Sequence, residues 1–98
     1  MLPLTPVYYL VCALNQGCYV PLSAAPTKIH VDEEDMAEVR RDGNGVCVRT
    51  LKNFGTIISV TTADWKEIVI RDLPGSGGPS LMDTQNSASL PTRPCGRP

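Results

Sequence analysis

Cysteine and histidine are the residues of this chain whose chemistry would be most specific. The 98 residues include four Cys and a single His, His30. Structural zinc sites usually take their ligands in close pairs such as Cys-x₂₋₄-Cys, because one turn then presents two thiolates. Cys12 and Cys18 are separated by five residues, whereas Cys47 and Cys95 each stand alone. The spacing does not predict a metal site, and we expect no cofactor.

The cysteines have a simpler interpretation as core residues. Cys12 ends an apolar run, and Cys47 lies between Val46 and Val48. Free cysteine packs as a small hydrophobic residue, so buried thiols are expected at Cys12 and Cys47. Disulfides would require an oxidising compartment, for which the sequence gives little support.

A cluster of carboxylates is the next candidate for chemistry. It consists of Asp32, Glu33, Glu34, Asp35 and Glu38. Carboxylate catalysis needs two groups that face each other across a cleft, one of them desolvated. On one exposed helical turn these groups would be splayed and solvated. With one His and no nucleophile motif besides, the sequence predicts a protein that is not an enzyme.

The same cluster carries the signals of a helix from about 32 to 42. Asp32 is a suitable N-cap, and the acidic first turn complements the helix dipole. Arg40 and Arg41 fall in the last turn, where cations are favoured, and Gly43 suits the left-handed position that follows. These signals agree with one another, so a short, largely exposed helix is expected.

Strand patterns occupy most of the rest of the central segment. Residues 27–31, 46–51 and 56–61 are rich in β-branched side chains, and a hairpin is expected over 46–61. Residues 62–73 allow either a second helix or a strand, because a capping-box spacing at Thr61 and Asp64 competes with the triplet Ile68-Val69-Ile70. The triplet slightly favours the strand.

The front segment, residues 1–26, has no charged side chain. Its apolar run over 7–14 is well below the ~20 residues that span a bilayer, so no transmembrane span is predicted. Residues 7–12 and 18–20 around a turn at 15–17 favour a β-hairpin, which the flanking prolines would restrict to a sheet edge. The alternative is a signal peptide cleaved after Ala25. It lacks a positive start, so a cytoplasmic location is favoured over secretion.

Together these elements predict an α+β protein with a small antiparallel or mixed sheet. Three segments are expected: the apolar front at 1–26, a small α+β domain at 27–73, and a flexible tail at 74–98 that is rich in Gly, Pro and Ser. The expected core residues are Ile29, Met36, Val46, Val48, Ile57, Val60, Trp65, Ile68 and Ile70. A core of this size is marginal, so oligomerisation is a reasonable expectation.

The function predicted from these features is protein binding by a small accessory or regulatory protein, of viral, phage or bacterial type. The acidic helix or an exposed sheet edge would bind the protein partner. The candidate contact residues are Glu33, Glu34, Glu38, Arg40 and Arg41. One alternative is a nucleic-acid-binding domain that uses the 46–61 hairpin, with Phe54 and Trp65 as stacking residues. The net charge of −1 gives that alternative weak support. The other alternative is a small secreted protein from which residues 1–25 are removed.

Overall fold

The computed structural model describes residues 5–53, 55–75, 79–90 and 92–95, and these residues form strands and turns but no helix. In chain order the strands are β1 (Val7–Cys12), β2 (Gly17–Pro21), β3 (Pro26–Val31), β4 (Ala37–Arg41), β5 (Gly45–Thr50), β6 (Thr56–Thr62), β7 (Glu67–Pro74), β8 (Ser80–Asp83) and β9 (Ala88–Leu90). The α+β prediction is therefore wrong, and the fold is all-β.

The strands form two sheets that pack on one core. The six-stranded sheet has the order β3-β6-β7-β1-β8-β9, and the three-stranded sheet has the order β2-β5-β4. Neighbouring strands are antiparallel except β1 and β7, which are parallel. Alternate residues of β2 in one sheet and of β6 and β7 in the other are buried in the same hydrophobic cluster. This is the arrangement of a β-sandwich, in which each sheet covers the apolar face of the other.

Most of the expected core residues are buried between the two sheets. Val46, Val48, Val60, Ile68 and Ile70 are all at most 5% exposed. Ile29 is half-buried against this cluster. Leu10, Val20 and Leu81, which come from the two ends of the chain, complete it. The terminal segments therefore contribute directly to the core.

Trp65 and Ile57 were expected in the core but lie on the surface, 90% and 40% exposed. Trp65 has a left-handed backbone with φ of 62° and sits in the turn between β6 and β7. The Thr62 hydroxyl donates to the Asp64 carboxylate in this turn, and the Trp65 N–H donates to the Thr62 carbonyl. The capping-like pattern of the sequence is thus used by a β-turn, and of the two alternatives for 62–73 the structure contains the strand β7.

The helix predicted over 32–42 is also absent. Its N-terminal signals produce one turn, in which the Met36 N–H donates to the Glu33 carbonyl over 3.0 Å. The chain then extends as β4, with Ala37 buried and Val39 packed against the core. A helix would have buried only a thin stripe, whereas the strand gains a full backbone ladder with β5. Tertiary pairing therefore overrides the local capping preferences.

Both predicted hairpins are wrong in their pairing, although their strands exist. β1 lies inside the six-stranded sheet between β7 and β8, while β2 pairs with β5 in the other sheet. β5 and β6 likewise belong to different sheets, so the segment 46–61 is a crossover. Alternating patterns identify strands, but they do not specify which strands pair.

The C-terminal tail was expected to be disordered, and its described residues are structured. β8 pairs with β1, and β9 pairs with β8. Leu81 fills the core at 1% exposure, and Asp83 accepts hydrogen bonds from the Gln85 N–H and the Asn86 amide. Composition alone underestimated this segment, because one well-placed apolar residue and a capped turn suffice to dock it on an existing sheet.

All four cysteines are paired, so the expectation of free buried thiols at Cys12 and Cys47 is wrong. Cys12 bonds to Cys18 and links β1 of one sheet to β2 of the other. Cys47 bonds to Cys95 over a sequence separation of 48. No helix in the described part of the chain is long and apolar enough to cross a membrane.

Candidate functional site at the edge of β4

β4 is an end strand of the three-stranded sheet, and its backbone bonds can be assigned from the register. Glu38 lies opposite Arg49, and the Leu51 N–H and Gly45 carbonyl bond to Met36 and Asp42 at the two ends of the ladder. Because hydrogen-bonded pairs alternate in an antiparallel ladder, Glu38 and Arg40 bond to β5. The N–H and C=O groups of Ala37, Val39 and Arg41 point away from β5. We call this row of groups the β4 edge.

The β4 edge has no strand partner among the described residues. The nearest neighbour is β3 of the other sheet, which Arg41 reaches by donating from its guanidinium to the Pro26 and Thr27 carbonyls, each over 3.3 Å. That contact uses the Arg41 side chain. Ala37 is only 3% exposed, so the accessible backbone groups of the edge are those of Val39 and Arg41. An unpaired edge of this kind is a template for another strand.

The other sheet ends are protected. β9 has only three residues, and β3 begins at Pro26 and has a register shift between Pro26 and Lys28. Short strands, prolines and bulges all reduce edge pairing. The free side of β2 is covered by residues 92–95. β4 is five residues long, regular and free of proline, so it is the edge best suited to receive a strand.

The covering of β2 is a short strap, residues 92–95. The Tyr19 N–H donates to the Arg93 carbonyl and the Cys95 N–H donates to the Gly17 carbonyl, each over 2.8 Å. The Arg93 guanidinium lies 4.3 Å from the centre of the Tyr19 ring. The Cys47–Cys95 disulfide fixes the strap to β5. One side of the three-stranded sheet is therefore closed, while the β4 side stays open.

The residues predicted as partner contacts all fall at or beside the β4 edge, but not on one helical face. Glu33 and Glu34 are exposed in the β3–β4 loop. Glu38 and Arg40 are exposed and share the outer face of β4, since side chains alternate along a strand. Arg41 projects toward the opposite side and contacts β3. In the structure these residues therefore form an acidic loop followed by a strand that carries both signs of charge, and not the acidic helix that was predicted.

The loop holds most of its charges in solvent. Asp35 accepts a hydrogen bond from the Lys52 ammonium over 3.2 Å, and His30 lies 3.8 Å from Asp32. Both pairs are more than half exposed, so each contributes little to stability. These two pairs offset only part of the charge of the four carboxylates at 32–35, so the N-terminal end of β4 keeps an excess of negative charge.

Sequence reasoning singled out Arg40 but missed Tyr19 and the arrangement of the residues on the outer face of the three-stranded sheet. Tyr19 and Arg40 flank Cys47 in the register, and Arg49 lies beside Glu38. A groove of about 470 Å³ on this side is lined by Glu38, Val39, Arg40, Cys47 and Arg49. Only the strand order brings these residues together. β4 and β5 are joined by a short turn, but β2 precedes them by a whole strand of the other sheet, so no spacing in the sequence reveals that β2 lies beside β5.

A buried polar pair joins the two sheets behind the β4 edge. The Thr50 hydroxyl lies 2.8 and 2.9 Å from the two oxygens of the Asp72 carboxylate, and both residues are 0% exposed. Burial raises the pKa of Asp72, and the hydrogen bond from Thr50 partly opposes that rise. Thr50 is the residue of β5 that lies opposite Ala37 of β4. The pair therefore fixes the sheet that presents the edge.

The described residues contain no group of three or more His, Cys, Asp or Glu side chains placed to hold a metal ion. A cavity of about 370 Å³ is lined in part by Glu33, Arg71 and Asp72. Asp72 is occupied by Thr50, and the Arg71 guanidinium lies 5.8 Å from the centre of the Tyr9 ring. Thr56 also lines this cavity, and its hydroxyl oxygen accepts a hydrogen bond from the Glu33 N–H over 3.3 Å.

The β4 edge is therefore the candidate site among the described residues. Comparison with known protein families, with curated proteins and with solved structures finds no match to this chain.

Proposed function

We propose that this protein is a non-enzymatic binding module that receives an extended segment of a protein partner along the β4 edge. The observation that carries the proposal is the pair of outward backbone positions at Val39 and Arg41, which no described strand covers. Strand addition of this kind takes its affinity from main-chain hydrogen bonds and its specificity from the alternating side chains.

Charge supplies the specificity in this proposal. Glu33, Glu34 and Glu38 lie toward the start of β4, and Arg40 and Arg41 lie at its end. A partner strand that carries the opposite order of charges would be attracted, and like charges placed opposite each other would be disfavoured.

The nucleic-acid alternative loses support in its original form. The segment 46–61 does not make a two-stranded ribbon, and Lys52 is paired with Asp35. Phe54 lies outside the described residues, and Trp65 lies at a turn of the six-stranded sheet. The basic residues Arg40 and Arg49 share their groove with Glu38. Binding to a single-stranded oligonucleotide that decreases steeply with salt would be needed to restore this alternative.

The processed form without residues 1–25 is also disfavoured by the fold. Removal of those residues would delete β1, β2 and the Cys12–Cys18 disulfide, and with them Leu10 and Val20 of the core. The two disulfides themselves favour an oxidising compartment, because such bonds persist there and are rare in the cytosol. This consideration argues against the cytoplasmic location favoured by the sequence.

The experiment compares Val39→Pro with Val39→Ala in co-purification from native cells, with mass spectrometry of the captured proteins. Proline removes the outward N–H of residue 39 but no bond of the ladder with β5, and proline is tolerated at sheet edges. Alanine loses the same packing and keeps the N–H. We expect a partner that the wild type and Val39→Ala retain and Val39→Pro loses, with the same folded circular dichroism spectrum for all three.

A second variant tests the acidic loop. Charge reversal of Glu33, Glu34 and Glu38 to lysine is expected to weaken capture of the same partner. If Val39→Pro captures the partner as well as Val39→Ala does, the β4 edge is not the binding surface.

A further inference from the structure

We infer that the Cys47–Cys95 disulfide is a redox-reactive site: a dithiol opens it while the protein stays folded, and its opening releases the strap, residues 92–95, from β2. The dithiol is the co-reactant and supplies the two electrons. The inference goes beyond the proposed function, because it concerns the side of the three-stranded sheet opposite to the β4 edge.

The two disulfides differ in their access to solvent. Cys12 and Cys18 are 1% and 0% exposed and belong to the hydrophobic core cluster. Cys47 is 7% exposed and lies outside that cluster, and Cys95 is half-buried. Thiol–disulfide exchange requires a thiolate to reach one of the two sulfurs, so the more exposed disulfide is the labile one. The folded protein is therefore expected to react at Cys47–Cys95 first.

The groove beside Cys47 favours a thiolate at that position. Two guanidinium groups, of Arg40 and Arg49, and one carboxylate, of Glu38, line it. Arg49 lies two residues from Cys47 along β5, so both side chains are on the outer face of the sheet. A nearby positive charge stabilises a thiolate leaving group. The charge alone has this effect, and no unpaired hydrogen-bond donor is needed.

The exchange consists of two balanced steps. A thiolate of the dithiol attacks the more exposed sulfur, which is that of Cys95. A bond forms between these two sulfurs, the Cys47–Cys95 bond breaks, and Cys47 leaves as the thiolate. The second thiol group of the reductant then attacks the mixed disulfide, so the reductant becomes a cyclic disulfide and Cys95 is released. The dithiol is oxidised by two electrons, and its two protons pass through solvent to the two cysteines.

The strap is held to β2 by polar contacts and by the disulfide, and not by burial. The Tyr19 N–H donates to the Arg93 carbonyl over 2.8 Å, and the Tyr19 carbonyl accepts from the Thr92 hydroxyl over 2.7 Å. None of the residues 92–95 is buried. Because a neutral hydrogen bond contributes little net free energy and the strap adds no side chain to the core, loss of the disulfide allows the strap to open locally.

Opening of the strap uncovers backbone groups of β2. The strap covers those of Gly17 and Tyr19. Cys18 and Val20 bond to β5 instead, because hydrogen-bonded pairs alternate along an antiparallel ladder. Reduction would therefore leave β2 in the sheet and give the three-stranded sheet a second unpaired edge.

The experiment treats the folded full chain with dithiothreitol at about pH 8, where thiolates are populated, and stops the reaction with iodoacetamide. Peptide mass mapping then measures the alkylation of each cysteine with time. We expect Cys47 and Cys95 to be alkylated about tenfold or more faster than Cys12 and Cys18. In denaturing urea this difference should disappear, because it depends on the fold.

Two matched variants test the contribution of charge. Arg49→Gln removes the guanidinium beside Cys47 and should slow reduction several-fold, whereas Arg71→Gln, in the other sheet, should leave the rate unchanged. Glutathione, a monothiol, identifies the sulfur that is attacked. We expect glutathione to be trapped on Cys95, with Cys47 alkylated.

Hydrogen exchange tests the release of the strap. After reduction, the Tyr19 amide should lose its protection, while the Val20 amide should keep it. The double variant Cys47→Ser/Cys95→Ser should exchange in the same way without reductant, and circular dichroism verifies that it is folded. Four outcomes would overturn the inference: equal reduction of both disulfides in the folded protein, glutathione on Cys47, a wild-type rate in Arg49→Gln, or a Tyr19 amide that stays protected after reduction.

Discussion

Replacement of Thr50 by valine tests whether the buried pair between the sheets contributes to stability as the geometry indicates. Valine keeps the size of the side chain and removes the hydroxyl, so the change creates no cavity. The Thr50 hydroxyl is 2.8 Å from the nearer oxygen of Asp72, and both side chains are fully buried. A hydrogen bond to a charged acceptor contributes about 1.5–3 kcal/mol, and its loss leaves a buried carboxylate without that donor. We expect Thr50→Val to lower the free energy of unfolding by about 2 kcal/mol at pH 7.

The pH dependence of this loss has a defined sign. Burial raises the folded-state pKa of Asp72 above its ordinary value of 3.8, so the folded state binds the proton more tightly than the unfolded state does. The stability contributed by Asp72 is therefore greatest below 3.8 and decreases as the pH rises through the folded-state pKa. Thr50→Val removes the interaction that lowers this pKa. The difference in unfolding free energy between wild type and variant should decrease as the pH falls toward 3.8, because both proteins then bury a neutral carboxyl group.

Urea unfolding of wild type, Thr50→Val, Asp72→Asn and the double variant gives a double-mutant cycle, which measures the interaction energy between the two side chains. The amide of Asp72→Asn can still accept from Thr50 without the desolvation of a charge. In that background Thr50→Val should cost only about 1 kcal/mol, the value of a neutral hydrogen bond. An effect of Thr50→Val below about 0.5 kcal/mol at pH 7, the usual limit for surface substitutions, would refute the reasoning. So would an effect that increases as the pH falls.

Two further predictions concern the disulfides and the β6–β7 turn. Replacement of Cys47 and Cys95 by alanine should lower the free energy of unfolding by about 4 kcal/mol, and replacement of Cys12 and Cys18 by about 2 kcal/mol. The reason is that a disulfide restricts the unfolded chain more when it closes a longer loop, and the sequence separations are 48 and 6. Equal losses in urea unfolding would contradict this ranking. Hydrogen bonds from the Thr62 and Ser23 hydroxyls lower the pKa of Asp64, so its contribution is present above 3.8 and is lost as the pH falls through the folded-state pKa. Asp64→Asn should therefore flatten the acid limb of the stability profile, and an unchanged limb in urea titrations from about pH 6 to about pH 2.5 would contradict that assignment.

The strand segments of the central region could be predicted from the sequence. Residues 27–31, 46–51 and 56–61 match β3, β5 and β6 to within one residue at each end. The reason is that a half-buried strand alternates apolar and polar residues with a period of two, which is a local property. Chain reversals at 42–45 and 62–64 were likewise visible as turn residues and capping patterns.

The candidate site could be predicted from the sequence only in part. The charged residues Glu38, Arg40 and Arg41 were singled out, and all lie on β4. Their arrangement was not, because caps and dipole interactions are worth about 1 kcal/mol each, whereas the strand gains both its ladder with β5 and the burial of Ala37 and Val39 against residues distant in sequence. Tyr19 and Arg93, which meet at 4.3 Å beside β2, are separated by most of the chain. No local pattern could associate them.

The sequence by itself determined where this chain extends and turns, because those choices depend on residues close together along it. Tertiary structure alone decided which strands pair, which cysteines bond, whether residues 32–41 form a helix or a turn and strand, and which edge stays open. Each of these depends on contacts such as Thr50 with Asp72 or Cys47 with Cys95. Such contacts stabilise the fold only after distant segments of the chain have come together, so a pattern of neighbouring residues cannot predict them.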